Sequence, residues 1–265
     1  MDYQNDAYNS LKHSINELFS RFQAPEAEWE KARILANTFP YLDFVAHLSK
    51  TTREKVSEIL KEIADDKPLH ALLRSSLERI AALCAAGLNP GEIRVHAFTV
   101  YSIIRLTRPE LVLETGVSSG KSSAMILRAI DRNGRGRLVS VDIGDFSGAT
   151  NGGMLDRPEN ATVGWFVPEQ LRKSWELIIG DAREILPEVL PRLAPLDIFI
   201  HDSLHTYEHM SFEYKIVQKY IKPGGLLLSD DIQHTKAFAD AAAVFPGPAY
   251  AFGTFGGLIL PNGEK

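Results

Sequence analysis

The 265-residue sequence has a single cysteine, Cys84. One cysteine excludes an internal disulfide, so the fold must be held by packing. Flanked by leucine and alanine, Cys84 is expected in the core. No apolar run approaches the roughly 18 residues of a membrane span. Met1-Asp2-Tyr3-Gln4 offers neither the basic nor the apolar part of a secretion signal. A cytoplasmic protein without membrane contact is therefore expected. Basic excess is missing too: 29 Lys and Arg against 34 Asp and Glu give a formal charge of −5. That balance argues against broad nucleic-acid binding. The 45% hydrophobic and 24% charged content is that of a soluble globular chain.

The first ninety residues read as helices with little chemistry. Val56, Ile59, Leu60 and Ile63 fall at helical spacing, and Leu69, Leu72, Leu73, Leu77, Ile80 and Leu83 continue the period after Pro68. Asn89-Pro90-Gly91 breaks the pattern. This divides the chain into a helical region, 1–91, and a second domain, 92–265. The helical region either caps that domain or joins two copies into a homo-oligomer; a sharper reading closes it over a substrate pocket.

Beyond the break, a helix over 93–107 leads into alternating strands and helices. Strands are expected at 111–114, 137–142, 175–179, 196–201 and 226–229. Helices are expected at 121–131, 168–173, 182–190 and 207–221. Apolar strands alternating with helices predict an α/β, Rossmann-like, doubly wound and mainly parallel sheet covered on both faces. Residues 144–164 form a long Gly- and Asn-rich loop of the kind that serves as a lid.

The chain is organised around Leu111-Val112-Leu113-Glu114-Thr115-Gly116-Val117-Ser118-Ser119-Gly120-Lys121-Ser122-Ser123. A strand passing through glycines into a helix start presents free backbone N–H groups at the positive end of a helix dipole. As a phosphate loop it is one residue short, with three residues between Gly116 and Gly120 instead of four. As a G-x-S-x-G nucleophile elbow it lacks the upstream strands and oxyanion loop. As E-x-G-x-x-x-G followed by an acid ending the next strand it is satisfied by Asp142. The spacing is near the roughly 20 residues at which such an acid holds ribose hydroxyls.

Ligands of such sheets bind beyond the carboxyl ends of the strands. Those ends supply Glu114, Asp142, Asp181, Asp202 and the pair Asp230-Asp231. One acid there is usually a helix cap; together they look like a site. Crowded carboxylates repel, which is an argument for a cation among them. Mg²⁺ takes oxygen ligands and keeps waters that a substrate oxygen replaces. His201, His205 and His209 are spaced by four, but His201 ends a strand, so zinc on a helix face is not expected. His209 reads as a helix-surface residue, His234 as a loop residue, and His96 as packed, with facing the cofactor its alternative.

The order E-x-G-x-x-x-G, Val141-Asp142, Gly180-Asp181-Ala182, a strand ending at Asp202, and Lys222-Pro223-Gly224-Gly225 resembles the class I S-adenosylmethionine (SAM)-dependent methyltransferases. It covers about residues 93–260. The turn and the two later acidic motifs are similar to the metal-dependent small-molecule O-methyltransferases of catechol, caffeoyl-CoA and macrolide-sugar type. The resemblance implies SAM and Mg²⁺ as cofactors and a small hydroxylated molecule as acceptor. Gly116 and Gly120 would admit the methionine part, Glu114 and Ser122 bind its polar groups, Asp142 hold the ribose, and Asp181 with Ala182 frame the adenine. Asp202, Asp230 and Asp231 would hold the metal, and His205, three residues after Asp202, would be the base. A P-loop-like phosphotransferase and a non-catalytic SAM-binding module are the alternatives.

Overall fold

The computed structural model describes residues 2–21, 24–144 and 156–262. Five helices come first: α1 (Asp2–Arg21), α2 (Ala24–Leu35), α3 (Phe39–Ser49), α4 (Arg53–Ala64) and α5 (Lys67–Ala85). The starts of α4 and α5 follow ordinary capping chemistry. Thr52 accepts from the Lys55 N–H at the start of α4, and Asp66 from the Leu69 N–H at the start of α5. The apolar period of α4 is buried at Val56, Leu60 and Ile63. Among the described residues no helix is long and apolar enough to cross a membrane.

Then follow α6 (Val95–Thr107), β1 (Leu111–Thr115), α7 (Lys121–Asn133), β2 (Arg137–Asp142) and β3 (Trp175–Ile179). A 3₁₀ turn, Glu169–Ser174, precedes β3. The chain continues with α8 (Ala182–Leu193), β4 (Leu196–His201), α9 (Tyr207–Val217), β5 (Ile221–Ser229), α10 (Ala237–Val244), β6 (Ala249–Phe252) and β7 (Phe255–Ile259). The sheet order is β3-β2-β1-β4-β5-β7-β6. The first five strands are parallel, and β7 and β6 are antiparallel additions. The expected doubly wound, mainly parallel Rossmann-like sheet is the one observed.

Both faces are covered. On one, the N-terminal helices with α6 and α7 build a core around Tyr41, Leu60, Phe98 and Ile126. On the other, α8, α9 and α10 contribute Leu186, Met210 and Phe238. Helices α1–α5 share the first core instead of building their own. Arg128 of α7 is tied to them by a two-pronged ion pair with Asp66, both bonds 2.7 Å.

Three expectations change, and a fourth falls partly outside the described residues. Cys84 is exposed, because it lies off the stripe of α5 that buries Leu69, Leu73, Leu77 and Ile80. The helix expected over 207–221 ends at Val217, and Ile221 already pairs with Leu196 as the start of β5. Strand β5 thus contains the Lys222-Pro223-Gly224-Gly225 turn as an irregularity in its register. The terminal hairpin β6–β7 is absent from the expected elements. Its Gly256 and Gly257 carry no strand signal, yet an added Cβ there would meet the Phe238 ring at 2.4 Å and the Leu48 side chain at 2.6 Å. Finally, residues 145–155 of the expected lid lie outside the described residues.

Candidate functional site

The register of the sheet assembles the site. Thr115 pairs with His201, and His201 with Ser229. Gly116, Asp202 and Asp230 therefore leave three neighbouring strands at one level. Gly116 has φ 82, and a Cβ on it would stand 2.0 Å from the Asp202 carbonyl oxygen. Only glycine fits there.

At the cofactor end, Glu114 is fully buried on β1. Its Oε2 accepts from Ser123 Oγ at 2.7 Å and Ser140 Oγ at 2.8 Å. Its Oε1 is buried without a hydrogen-bond partner. Burial pushes the carboxyl up to about 7, against the two serine bonds that favour ionisation. Gly120 begins α7 at φ 88 with no side-chain cap, so the first turn keeps its donors. Asp142 ends β2 and accepts the Val117 and Ser118 N–H groups at 2.8 and 2.9 Å, fixing the glycine turn. Asp181 caps α8 through the Arg183 N–H, and Ala182 behind it is buried. An unsatisfied carboxylate oxygen beside uncapped helix donors fits a zwitterionic amino-acid group such as the methionine part of SAM.

The acidic end lies next to it. Asp202 and Asp230 converge with His96 of α6, whose sequence context suggests packing first and the cofactor second. His96 Nδ1 stands 3.1 Å from Asp230 Oδ2, and Nε2 is 3.6 Å from Asp202 Oδ2 and 2.7 Å from Ser122 Oγ. Arg94 has no sequence signal at all. Its Nη1 is 3.2 Å from Asp230 Oδ2 and its Nη2 3.1 Å from Asp231 Oδ1. His205 Nε2 is 3.8 Å from Asp202 Oδ1, and its Nδ1 4.0 Å from Asp231 Oδ2. No spacing motif links 94 and 96 to the later acids, so only the packing of α6 reveals them.

Burial raises Asp202 and Asp230 alike, and their neighbours then separate them. Asp202, with Asp230 adding to burial, lies well above the usual carboxylate range. For Asp230 burial is outweighed by His96 and Arg94, which hold it below that range. His96 is raised: burial opposes its charge, but Asp230 and Asp202 prevail. Burial, reinforced by His201, lowers His205 to about 4, so it is neutral at pH 7. Its Nε2 is buried with no hydrogen-bond partner. His209, expected at the surface, is instead buried and bonded to Glu213 at 2.8 Å. Glu213 also accepts from His201, Ser203 and Thr115. This network holds the β4 end rigid.

Donor atoms of His96, Asp202 and Asp230 all lie within 4.8 Å of one another, a set that fits a divalent cation. Beside Arg94 and His96 opens a cavity of about 250 Å³, walled by Tyr8 of α1, Phe44 of α3, and Phe252 and Phe255 of the β6–β7 hairpin.

A parallel sheet with a glycine turn after β1 and acids at its carboxyl ends defines a Rossmann-like fold of the methyltransferase kind. Residues 113–232, a little under half of the chain, match the family model described as a methyltransferase domain. No protein of curated function matches by sequence. Among solved structures, the O-methyltransferase from Bacillus cereus in complex with SAH is similar at 14% identity, over 71% of this chain and 90% of that one, TM-score 0.52. The O-methyltransferase TomG from Streptomyces achromogenes, in complex with SAM, is similar at 18% identity, over 74% and 91%, TM-score 0.50. At such identities the likeness concerns the fold. The resemblance read from the sequence agrees with the methyltransferase-domain match over residues 113–232 and with the fold of these structures. The phosphate-loop alternative finds no support: Lys121 Nζ is bound to the Pro90 carbonyl at 2.7 Å, and burial lowers it to about 8.

Proposed function

We propose that the protein is a SAM-dependent O-methyltransferase acting on a hydroxyl of a small molecule. One observation carries the reading. Asp202, Asp230 and the unpartnered Nε2 of His205 meet beside the glycine turn. SAM supplies an electrophilic methyl, and a divalent cation such as Mg²⁺ supplies Lewis acidity toward the acceptor oxygen. Glu114 and Ser122 hold the methionine part, Asp142 the ribose, and Asp181 with Ala182 the adenine. Asp202 and Asp230 hold the cation, and Asp231 stands beside them without contacting it. His205 takes the hydroxyl proton at Nε2, while Glu213 keeps the adjacent His201 fixed. The aromatic cavity receives the acceptor, with α1 as its outer wall. The helical region 1–91 thereby closes the substrate side of the domain 92–265.

Calorimetry with SAH and ATP tests the cofactor, and methyl transfer from labelled SAM to a panel of phenols and sugars tests the reaction. Tight ATP binding with no SAH binding would overturn this reading.

A further inference from the structure

We propose that His96, and not Asp231, is the third ligand of the cation, and that the site prefers an ion of the Mn²⁺, Fe²⁺ or Co²⁺ kind over Mg²⁺. The inference rests on the methyltransferase reading only for a cation at Asp202 and Asp230.

Four observations converge. First, His96 Nδ1 and Asp230 Oδ2 are 3.1 Å apart. Neighbouring donors on an ion with bonds of about 2.1 Å lie about 3 Å apart. Among the described residues, His96, Asp202 and Asp230 form the group of such donors that converges. Second, Asp230 Oδ2 is fully buried, and what faces it is His96 and Arg94, with no backbone or hydroxyl donor satisfying it. Third, the imidazole is already oriented as a ligand. Ser122 Oγ holds Nε2 at 2.7 Å, and the Phe255 ring stacks on it at an interplanar angle of 13°. A hydrogen bond on the far ring nitrogen is what usually fixes the tautomer of a metal-binding histidine. Fourth, Asp231 is occupied elsewhere. Its backbone is left-handed at φ 50, and its Oδ1 engages Arg94 and Gln233.

Asp231 then has a different task. Arg94 bridges Asp230 and Asp231. When the cation enters, the guanidinium leaves Asp230 and stays tethered to Asp231 at the mouth of the cavity. One imidazole with two carboxylates shifts preference away from Mg²⁺, whose natural set is all oxygen, toward ions that accept nitrogen. Ser122 joins this ligand to the first turn of α7, so the cation and the cofactor share one support.

The test uses Mn²⁺ and Mg²⁺ alone with the full chain, by calorimetry and pulsed electron paramagnetic resonance. Mn²⁺ should bind the wild type at least about tenfold more tightly than Mg²⁺. The echo should carry the modulation of a directly bound imidazole nitrogen. That signal should persist in His205→Ala and vanish in His96→Gln. Removing an outer partner of a metal ligand costs about 10–100-fold, so His96→Gln should lose at least about tenfold in Mn²⁺ affinity. Asp231→Asn should lose less than about threefold on the same scale. Wild-type Mn²⁺ bound without nitrogen modulation, modulation surviving in His96→Gln, or no Mn²⁺ binding would each overturn the proposal. A wild-type spectrum without nitrogen modulation overturns the proposal even if a variant fails to fold, and His205→Ala alone separates the two imidazoles. SAH calorimetry on the same sample separates the two readings: SAH bound without Mn²⁺ leaves the methyltransferase and removes only the metal.

Discussion

Glu114→Gln isolates the buried carboxyl at the cofactor end. Glu114 is fully buried and its carboxyl is raised to about 7 from an ordinary value of 4.5. The native state therefore holds its proton more tightly than the unfolded chain. Between pH 4.5 and 7 the folded protein binds more protons, so stability falls as pH rises through that window. Every tenfold gain in proton affinity on folding corresponds to about 1.4 kcal/mol, which makes the full penalty above pH ~7 about 3 kcal/mol. Urea unfolding at about pH 5, 6.5 and 8 should show the wild type losing about 2–3 kcal/mol relative to the variant across that range. Every other titrating group is common to both proteins and cancels in the difference. The glutamine places an amide donor where Oε1 has no partner, and that cost, about 1–3 kcal/mol, is independent of pH. Parallel pH profiles for the two proteins would refute the argument. The same carboxylate should ionise when an ammonium group docks beside it. SAH binding near pH ~6.5 should then release a proton, visible as a dependence of the calorimetric enthalpy on the buffer.

Asp142→Ala should weaken SAM binding by about 1.5–3 kcal/mol, the worth of hydrogen bonds to a charged group, and unpin Val117 and Ser118; unchanged affinity by calorimetry would count against it. His205→Ala should keep SAM affinity and lose about 10²–10⁴-fold in turnover, measured with labelled SAM; full activity removes it as the base. Arg128→Ala strands Asp66, whose side chain is 0% exposed, and should cost about 3–5 kcal/mol in urea unfolding. A loss under about 1 kcal/mol would place that pair among surface bridges.

The parallel part of the fold is legible in the sequence because its strands are short apolar runs bounded by turn residues, and each helix between them has its own period. Leu111–Thr115, Arg137–Asp142 and Leu196–His201 are readable this way. So are the acids at their carboxyl ends, since in a parallel sheet every strand end faces the same side. The hairpin β6–β7 is not legible. Its glycines are chosen by the side chains that press on them, Phe238 and Leu48, and those contacts are tertiary.

The site divides along the same line. The local sequence determined the glycine turn, because Gly116 and Gly120 need left-handed backbone that other residues resist. It also placed Asp202 and Asp230 at neighbouring strand ends, where hydrophobic pattern sets register. Only the tertiary structure decided what stands against those acids. Arg94 and His96 lie more than a hundred residues before Asp202 in the chain, at the start of a helix whose pattern shows an apolar stripe and nothing more. Packing α6 across the sheet puts a guanidinium and an imidazole against Asp230. Burial then fixes which of these groups carry charge: removed from water, each ionises only as far as its neighbours compensate it, and those neighbours come from distant parts of the chain.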